Sequence, residues 1–136
     1  MLKNFKKLLK ALTFYLYNSF FSYFPSYKIR NLYLKYVLRY KIGVNSAVHM
    51  GCFFTGDNIS IGKNTVINRG CYLDGRFGLE IEDNVSISPE CYLLSLDHVM
   101  DSMDFDVIGK KVIIQNYVWI GSRAIILPGV NLKKGC

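Results

Sequence analysis

The sequence predicts an all-β solenoid, a parallel β-helix of hexapeptide repeats, carried behind an N-terminal helical segment. Three observations predict it. Apolar residues recur every six positions from Ile42 onward, the hexads group into blocks of three, and the repeat region follows a stretch of quite different composition. Such repeats decide the architecture before local propensity does, because each unit buries its apolar face only against its neighbours.

The first element is the extension, residues 1–41. It holds nine Lys or Arg and no acidic residue, whereas residues 42–136 hold eight Lys or Arg against ten Asp or Glu, the first being Asp57. The net charge of +7 is therefore a property of the extension. A slightly acidic repeat domain argues against a nucleic-acid binder. The extension reads as two helices divided at Pro25. In the first, Lys3, Lys6, Lys7 and Lys10 fall on one side and Leu2, Phe5, Leu9, Leu12 and Leu16 on the other. The uncharged run 11–27 reaches only the short edge of what spans a bilayer and contains Asn18, Ser19, Ser22 and Pro25, so an interfacial helix fits better. No small-residue cleavage site follows it, as a signal peptide requires. The segment is expected either to cap the open end of the solenoid or to cap it and also touch an anionic membrane surface peripherally.

The second element is the repeat domain, residues 42–136. Its blocks open at Ile42, Ile61, Ile81 and Ile114, and a fifth opens at Leu132. Asn45, Asn64 and Asn84 share one place in the first hexads, where a tight corner wants a residue tolerant of positive φ. Cys52, Cys71 and Cys91, then Ala124, share the fifth place of the second hexads, a slot that other hexads fill with Ser46, Thr65, Val85 and Val118. A small buried side chain is what the slot requires, so the thiols are expected to be free and stacked in a ladder, in a reducing compartment. A disulfide framework or cysteine nucleophiles fit less well. Successive coils should lie roughly 4.8 Å apart.

The third element interrupts the second. His98 ends the third block and the next clear block begins at Ile114, so residues 99–113 are expected to form an excursion. Insertions at a solenoid corner tend to carry function. Asp97, Asp101, Asp104 and Asp106 make this one acidic, which keeps an excursion soluble.

The stretch "IGKNTVI" and the run "YVWIGSRAIILPGV" resemble the hexapeptide-repeat acyltransferases, in particular the maltose and galactoside O-acetyltransferase branch and its polysaccharide-modifying relatives. The resemblance covers residues 42–136. It implies a left-handed β-helix, an exception to the usual right-handed crossover, assembled as a homotrimer. It also implies acetyl-CoA as co-substrate without a metal, a sugar or glycan acceptor, and a place in surface polysaccharide biosynthesis. The location it suggests is cytoplasmic, peripheral at the inner face of a membrane.

Acyl transfer to an alcohol needs a base, and an imidazole suits that near neutral pH. The family's catalytic histidine follows an "I-x-I-x-P" stretch that "VSISPECYLLSLDH" matches, which carries the role to His98. Asn68, in "VINRGCY", matches an asparagine that bonds the acceptor hydroxyl, and Asp74, in "YLDG", is a second acceptor-site candidate. Trp119 and Ser122, in "VWIGS", match positions lining the coenzyme A channel between subunits; Trp119 ends a hexad, at a corner. His49 reads as an outward-facing residue, and two histidines in the chain fall short of the three ligands of a zinc site of the γ-carbonic anhydrase type. Lys110, Lys111, Lys133 and Lys134 read as a solvated surface that a coenzyme phosphate would also suit. N-acylation of an amino sugar would use the same base, and a non-catalytic trimeric scaffold is the rival from another class. The family continues past "PGVNLKKG" with at least one more coil, whereas the sequence stops at Cys136, so a shortened coenzyme site is expected.

Overall fold

The computed structural model of the chain describes residues 2–136, with side chains from Lys3 onward; Met1 and the side chain of Leu2 lie outside that description. Three parallel sheets form the faces of a triangular prism. The first holds Lys41–Ile42, Ile59–Ile61, Leu79–Ile81, Val112–Ile114 and Asn131–Leu132. The second holds Ala47–Val48, Val66–Ile67, Ser86–Ile87 and Trp119–Ile120, and the third Phe53–Thr55, Tyr72–Asp74, Tyr92–Leu93 and Ile125–Ile126.

The register is the one the hexads dictate. Ile42, Ile61, Ile81, Ile114 and Leu132 pair in one column, Val48, Ile67, Ile87 and Ile120 in the second, and Phe54, Leu73, Leu93 and Ile126 in the third. These columns point inward and form the core, most of them without solvent exposure. Strand side chains alternate, so the preceding residues form outward columns, and these differ. The first face shows Lys41, Ser60, Glu80, Ile113 and Asn131; the second shows Ala47, Val66, Ser86 and Trp119. The third shows Phe53, Tyr72 and Tyr92, whose rings stack at 5.2 and 5.9 Å.

The first corner turns at Asn45, Asn64 and Asn84, with φ of 59°, 52° and 58°, and Tyr117 takes the same place at 63°. The asparagine amides bond upward in a chain, Asn45 to Asn64 and Asn64 to Asn84. The fifth-slot residues do more than fill space. Ser46 donates to the Gly62 carbonyl, Thr65 to Glu82, Cys52 to Asn68, Cys71 to Ser88 and Cys91 to Gly121, each time the second residue of the hexad one coil further on. The three thiols are buried and free, as the slot predicts. Hydrogen bonding to Cys71 and burial push the Cys52 thiol up, and burial raises Cys91, which removes both from nucleophilic chemistry.

The extension forms α1 (Leu2–Ser19), a 3-10 turn (Phe21–Tyr23) and α2 (Tyr27–Tyr36), and it caps the first coil. Arg30 Nε donates to the Val48 carbonyl at 2.9 Å, Asn31 to Ser46 at 2.7 Å and Tyr40 to Gly56 at 2.6 Å, while Asn18 both donates to and accepts from the backbone of Phe54. Backbone groups of the first coil's exposed end thus find partners. Tyr17, packed edge-on to Phe54 and tilted on Tyr33, closes the apolar end of the core.

The excursion departs from its expected form. It is an antiparallel β-hairpin of Leu96–His98 with Val107–Gly109, and the solenoid resumes at Val112, which pairs with Leu79. His98 therefore stands in the outgoing arm of the hairpin, opposite Val107, and not at the end of a coil. The sequence boundary of 99–113 failed because cross-strand pairing leaves no hexad period to read.

Candidate active site

The hairpin is rooted at Ser95, which is fully buried. Its carbonyl accepts from Lys110 N at 3.0 Å, its hydroxyl accepts from Phe77 N at 2.9 Å, and its own N–H donates to Asp74 Oδ2 at 3.2 Å. Phe77 lies flat on Gly109, where a Cβ would meet the ring at 2.0 Å; only glycine admits that approach.

Asp74 is the other half of this root. It ends the strand Tyr72–Asp74, is fully buried, and accepts from Arg76 N at 2.9 Å, Arg76 Nε at 2.9 Å, Arg76 Nη2 at 3.0 Å and Ser95 N. Burial alone would raise its carboxyl, but the Arg76 hydrogen bonds more than cancel that and hold it below the usual carboxylate range. Its expected place in the acceptor site is therefore corrected. A carboxylate with four donors and no exposed surface has nothing left for a sugar hydroxyl; it positions the hairpin.

At the arm's end, His98 is exposed and its Nδ1 stands 2.8 Å from the carbonyl oxygen of Phe105. A carbonyl only accepts, so Nδ1 is the donor in this contact, and in the ring's neutral tautomer that makes it the lone pair lies on Nε2. The Phe105 ring meets the imidazole edge-on at 6.4 Å. Among the described residues no aspartate side chain bonds the imidazole. Asp97 accepts from the His98 backbone N–H, and Asp106 accepts from the Ser102 hydroxyl, which fixes the hairpin tip.

Asn68 lies half-buried at the second corner, and its Nδ2 donates to the Ile87 carbonyl at 2.9 Å. That uses one of the two amide N–H donors, and Oδ1 is the atom that can accept from a hydroxyl. Asn68 lines a cleft of about 310 Å3 with His49, Arg69, Pro89, Tyr27 and Arg30. The sequence reading left His49 without a role, yet it holds the same hexad position as Asn68 one coil earlier; that shared position was the available signal.

Ser122 is exposed at this same corner, two coils along from Asn68, roughly 10 Å by rung spacing. Trp119 lies on the second face, in the strand Trp119–Ile120 and not at a corner, 71% exposed, with its indole N–H donated to Ser88 Oγ at 3.1 Å. Asn68, Ser122 and Trp119 thus collect along one edge of the prism. His98 leaves from the third corner, across the third sheet from them. Lys111 is paired with Glu80, and Lys134 lies 5.7 Å over the Tyr117 ring, so neither stands unengaged.

No protein-family model matches the chain. Over 93 residues it is 34% identical to a probable acetyltransferase of Mycobacterium tuberculosis, a match that takes in 65% of this chain and 29% of that protein. The chain thus spans less than a third of that relative's length. In structure it is similar to a hexapeptide-repeat-containing acetyltransferase of Vibrio cholerae complexed with acetyl coenzyme A, with a TM-score of 0.79 and 22% identity over 93% of this chain and 68% of that one. The chain shares the fold of these hexapeptide-repeat acetyltransferases. Its solenoid is the left-handed parallel β-helix of those structures. A further relative by structure is AntD, an N-acyltransferase from Bacillus cereus in complex with dTDP and 3-hydroxybutyryl-CoA, with a TM-score of 0.65 and 25% identity over 71% of this chain and 56% of that one.

Proposed function

We propose that the protein is an acetyl-CoA-dependent O-acetyltransferase that acetylates a sugar hydroxyl, in the maltose and galactoside branch of its family and in the service of surface polysaccharide assembly. The observation that carries this is the 2.8 Å contact of His98 Nδ1 with the Phe105 carbonyl, on an arm rooted at Ser95. With Nδ1 as the donor there, Nε2 is the ring atom turned to the base role that direct attack by a hydroxyl on a thioester requires.

In this reading Nε2 removes the acceptor's proton as its oxygen bonds to the thioester carbonyl carbon. The tetrahedral intermediate then collapses, the C–S bond breaks, and the proton passes from His98 to the departing coenzyme sulfur. Backbone amides near Ser122 stabilise the oxyanion, Trp119 supplies an apolar face to the pantetheine arm, and Asn68 Oδ1 accepts from the acceptor. His98 at one corner and Asn68, Ser122 and Trp119 at another complete one site only across two copies. The aromatic third face is a surface suited to such contact, and together these support a homotrimer.

N-acylation of an amino sugar is the second reading, favoured by the likeness to the Bacillus cereus N-acyltransferase. Sugars with the hydroxyl or the amine blocked separate the two. His98→Ala should lower turnover about a hundredfold or more with the fold intact; undiminished turnover removes His98 from the chemistry. Calorimetric titration with acetyl-CoA tests the coenzyme site, and a folded trimer that binds none would be a scaffold. The reading includes a place at the cytoplasmic face of a membrane, with residues 1–41 in peripheral contact.

A further inference from the structure

Two faces of α1 point in opposite directions. Toward the solenoid it presents Phe14, Tyr17 and Asn18, with Tyr17 fully buried. Away from it, Phe5, Leu8, Leu9, Leu12 and Tyr15 are between 47% and 66% exposed. At 3.6 residues per turn these five occupy about a third of the circumference. Phe20, also exposed, meets Tyr15 edge-on at 6.3 Å and extends the apolar surface past the helix end. Capping is already accomplished by the opposite face, and among the described residues only Leu9, at the stripe's edge, borders a cleft with Val37 and Leu38.

Charge selects the occupant. Lys6 and Lys7 flank the stripe and Lys3 lies behind it, all exposed, while Lys10 is paired with Asp57. Residues 1–41 contain no acid. Pairing the stripe with the same stripe of a second copy would gather two lysine clusters with no carboxylate of the segment between them. Among the described residues no helix is long and apolar enough to cross a bilayer. An apolar stripe bounded by lysines is the pattern of a helix lying in the headgroup region of an anionic membrane.

We propose that α1 lies in the plane of an anionic lipid surface, with Phe5, Leu8, Leu9, Leu12 and Tyr15 at the acyl boundary and the flanking Lys6 and Lys7 among the phosphates, the solenoid standing on the water side. This names the lipid class and the residues for the membrane contact in the functional reading, and it rests on that reading only for the purpose of the contact, since lipid binding needs no acyl transfer.

The test is co-sedimentation of the full chain with vesicles of phosphatidylcholine alone and of phosphatidylcholine mixed with phosphatidylglycerol. The full chain should bind the mixed vesicles and not the neutral ones, and added salt should weaken binding. The double variant Lys6→Gln, Lys7→Gln should bind about twenty-five-fold more weakly, at about fivefold per lysine. Leu8→Gln with Leu12→Gln should lose binding while circular dichroism and the melting curve stay unchanged, because both side chains are exposed. Failure to bind the mixed vesicles, or equal binding to both kinds with no effect of the lysine changes, overturns the proposal. So does a fall in particle mass by light scattering in the leucine variant with vesicle binding intact, which would make the stripe an interface between copies. Acetyl transfer to a soluble sugar, assayed on the same proteins, separates the two readings. Lost lipid binding in the variants with retained transfer supports both, and retained lipid binding in the full chain without any transfer refutes the enzyme reading alone.

Discussion

Asp74→Asn should loosen the hairpin that carries His98 without unfolding the solenoid. The substitution keeps the side-chain shape but replaces one acceptor oxygen by a donor and removes the charge. Asp74 Oδ2 receives Arg76 Nη2 and the buried Ser95 N–H, and Oδ1 receives two further bonds from Arg76. An amide in this place leaves at least one buried donor unpaired, at about 1–3 kcal/mol, and weakens a charge-assisted pair that is discounted because Arg76 is 41% exposed. A total of about 2–4 kcal/mol acts on the hairpin root alone. Amide hydrogen exchange reads it directly. The Ser95 and Lys110 amides should exchange about thirtyfold to a thousandfold faster, while Val66 and Tyr72 in the middle of the stack stay protected. Turnover should fall with little change in the KM for acetyl-CoA, as expected when a base is misplaced and the coenzyme edge is not. Unaltered exchange at Ser95 and Lys110 in a folded variant would refute the positioning role.

The pH dependence follows from the same group. Asp74 has a folded pKa below its unfolded value, so its contribution is complete above the unfolded carboxylate range, about pH 4, and is lost as pH falls through the folded value. Exchange at the hairpin root should quicken on acidification in the natural protein and much less in Asp74→Asn. Leu73→Ala, in the fully buried column between Phe54 and Leu93, should cost about 2–5 kcal/mol in urea unfolding. Asn64→Ala, at φ 52°, should cost about 1 kcal/mol or more, and Asn64→Gly distinctly less, by the same measurement. A thiol reagent under native conditions should label Cys136 quickly and leave Cys52, Cys71 and Cys91 unreacted until the protein unfolds.

The coils were legible because a period of six with aliphatic leads has one way to bury itself, so Ile42, Ile61, Ile81 and Ile114 announce their column. Asn64 and Cys71 were legible for a related reason, since each occupies a slot whose backbone or volume accepts few residue types. The hairpin was not, because His98 pairs with Val107 through backbone groups that any side chain supplies. Asp74 was misread because its burial depends on Ser95, twenty-one residues later and around a full coil. His98 could be nominated as a base from its place after "ISP", but its tautomer depends on the Phe105 carbonyl, which no side-chain pattern encodes. The cap was foreseeable in its helices and not in its targets, the carbonyls of Ser46, Val48 and Phe54.

The solenoid closes again above the hairpin as though nothing had been inserted, with Val112–Ile114 seated on Leu79–Ile81 in unbroken register. The connection from Ile81 to Ile114 is less than twice the ordinary coil in length, and by loop-closure entropy the added residues cost only about 0.5 kcal/mol. Residues 99–106 between the arms can therefore drift in length and character while the coils beneath hold still. Changes at that one tip would alter what surrounds His98 and leave the coils as they are, much as a key blank is recut without altering its shaft.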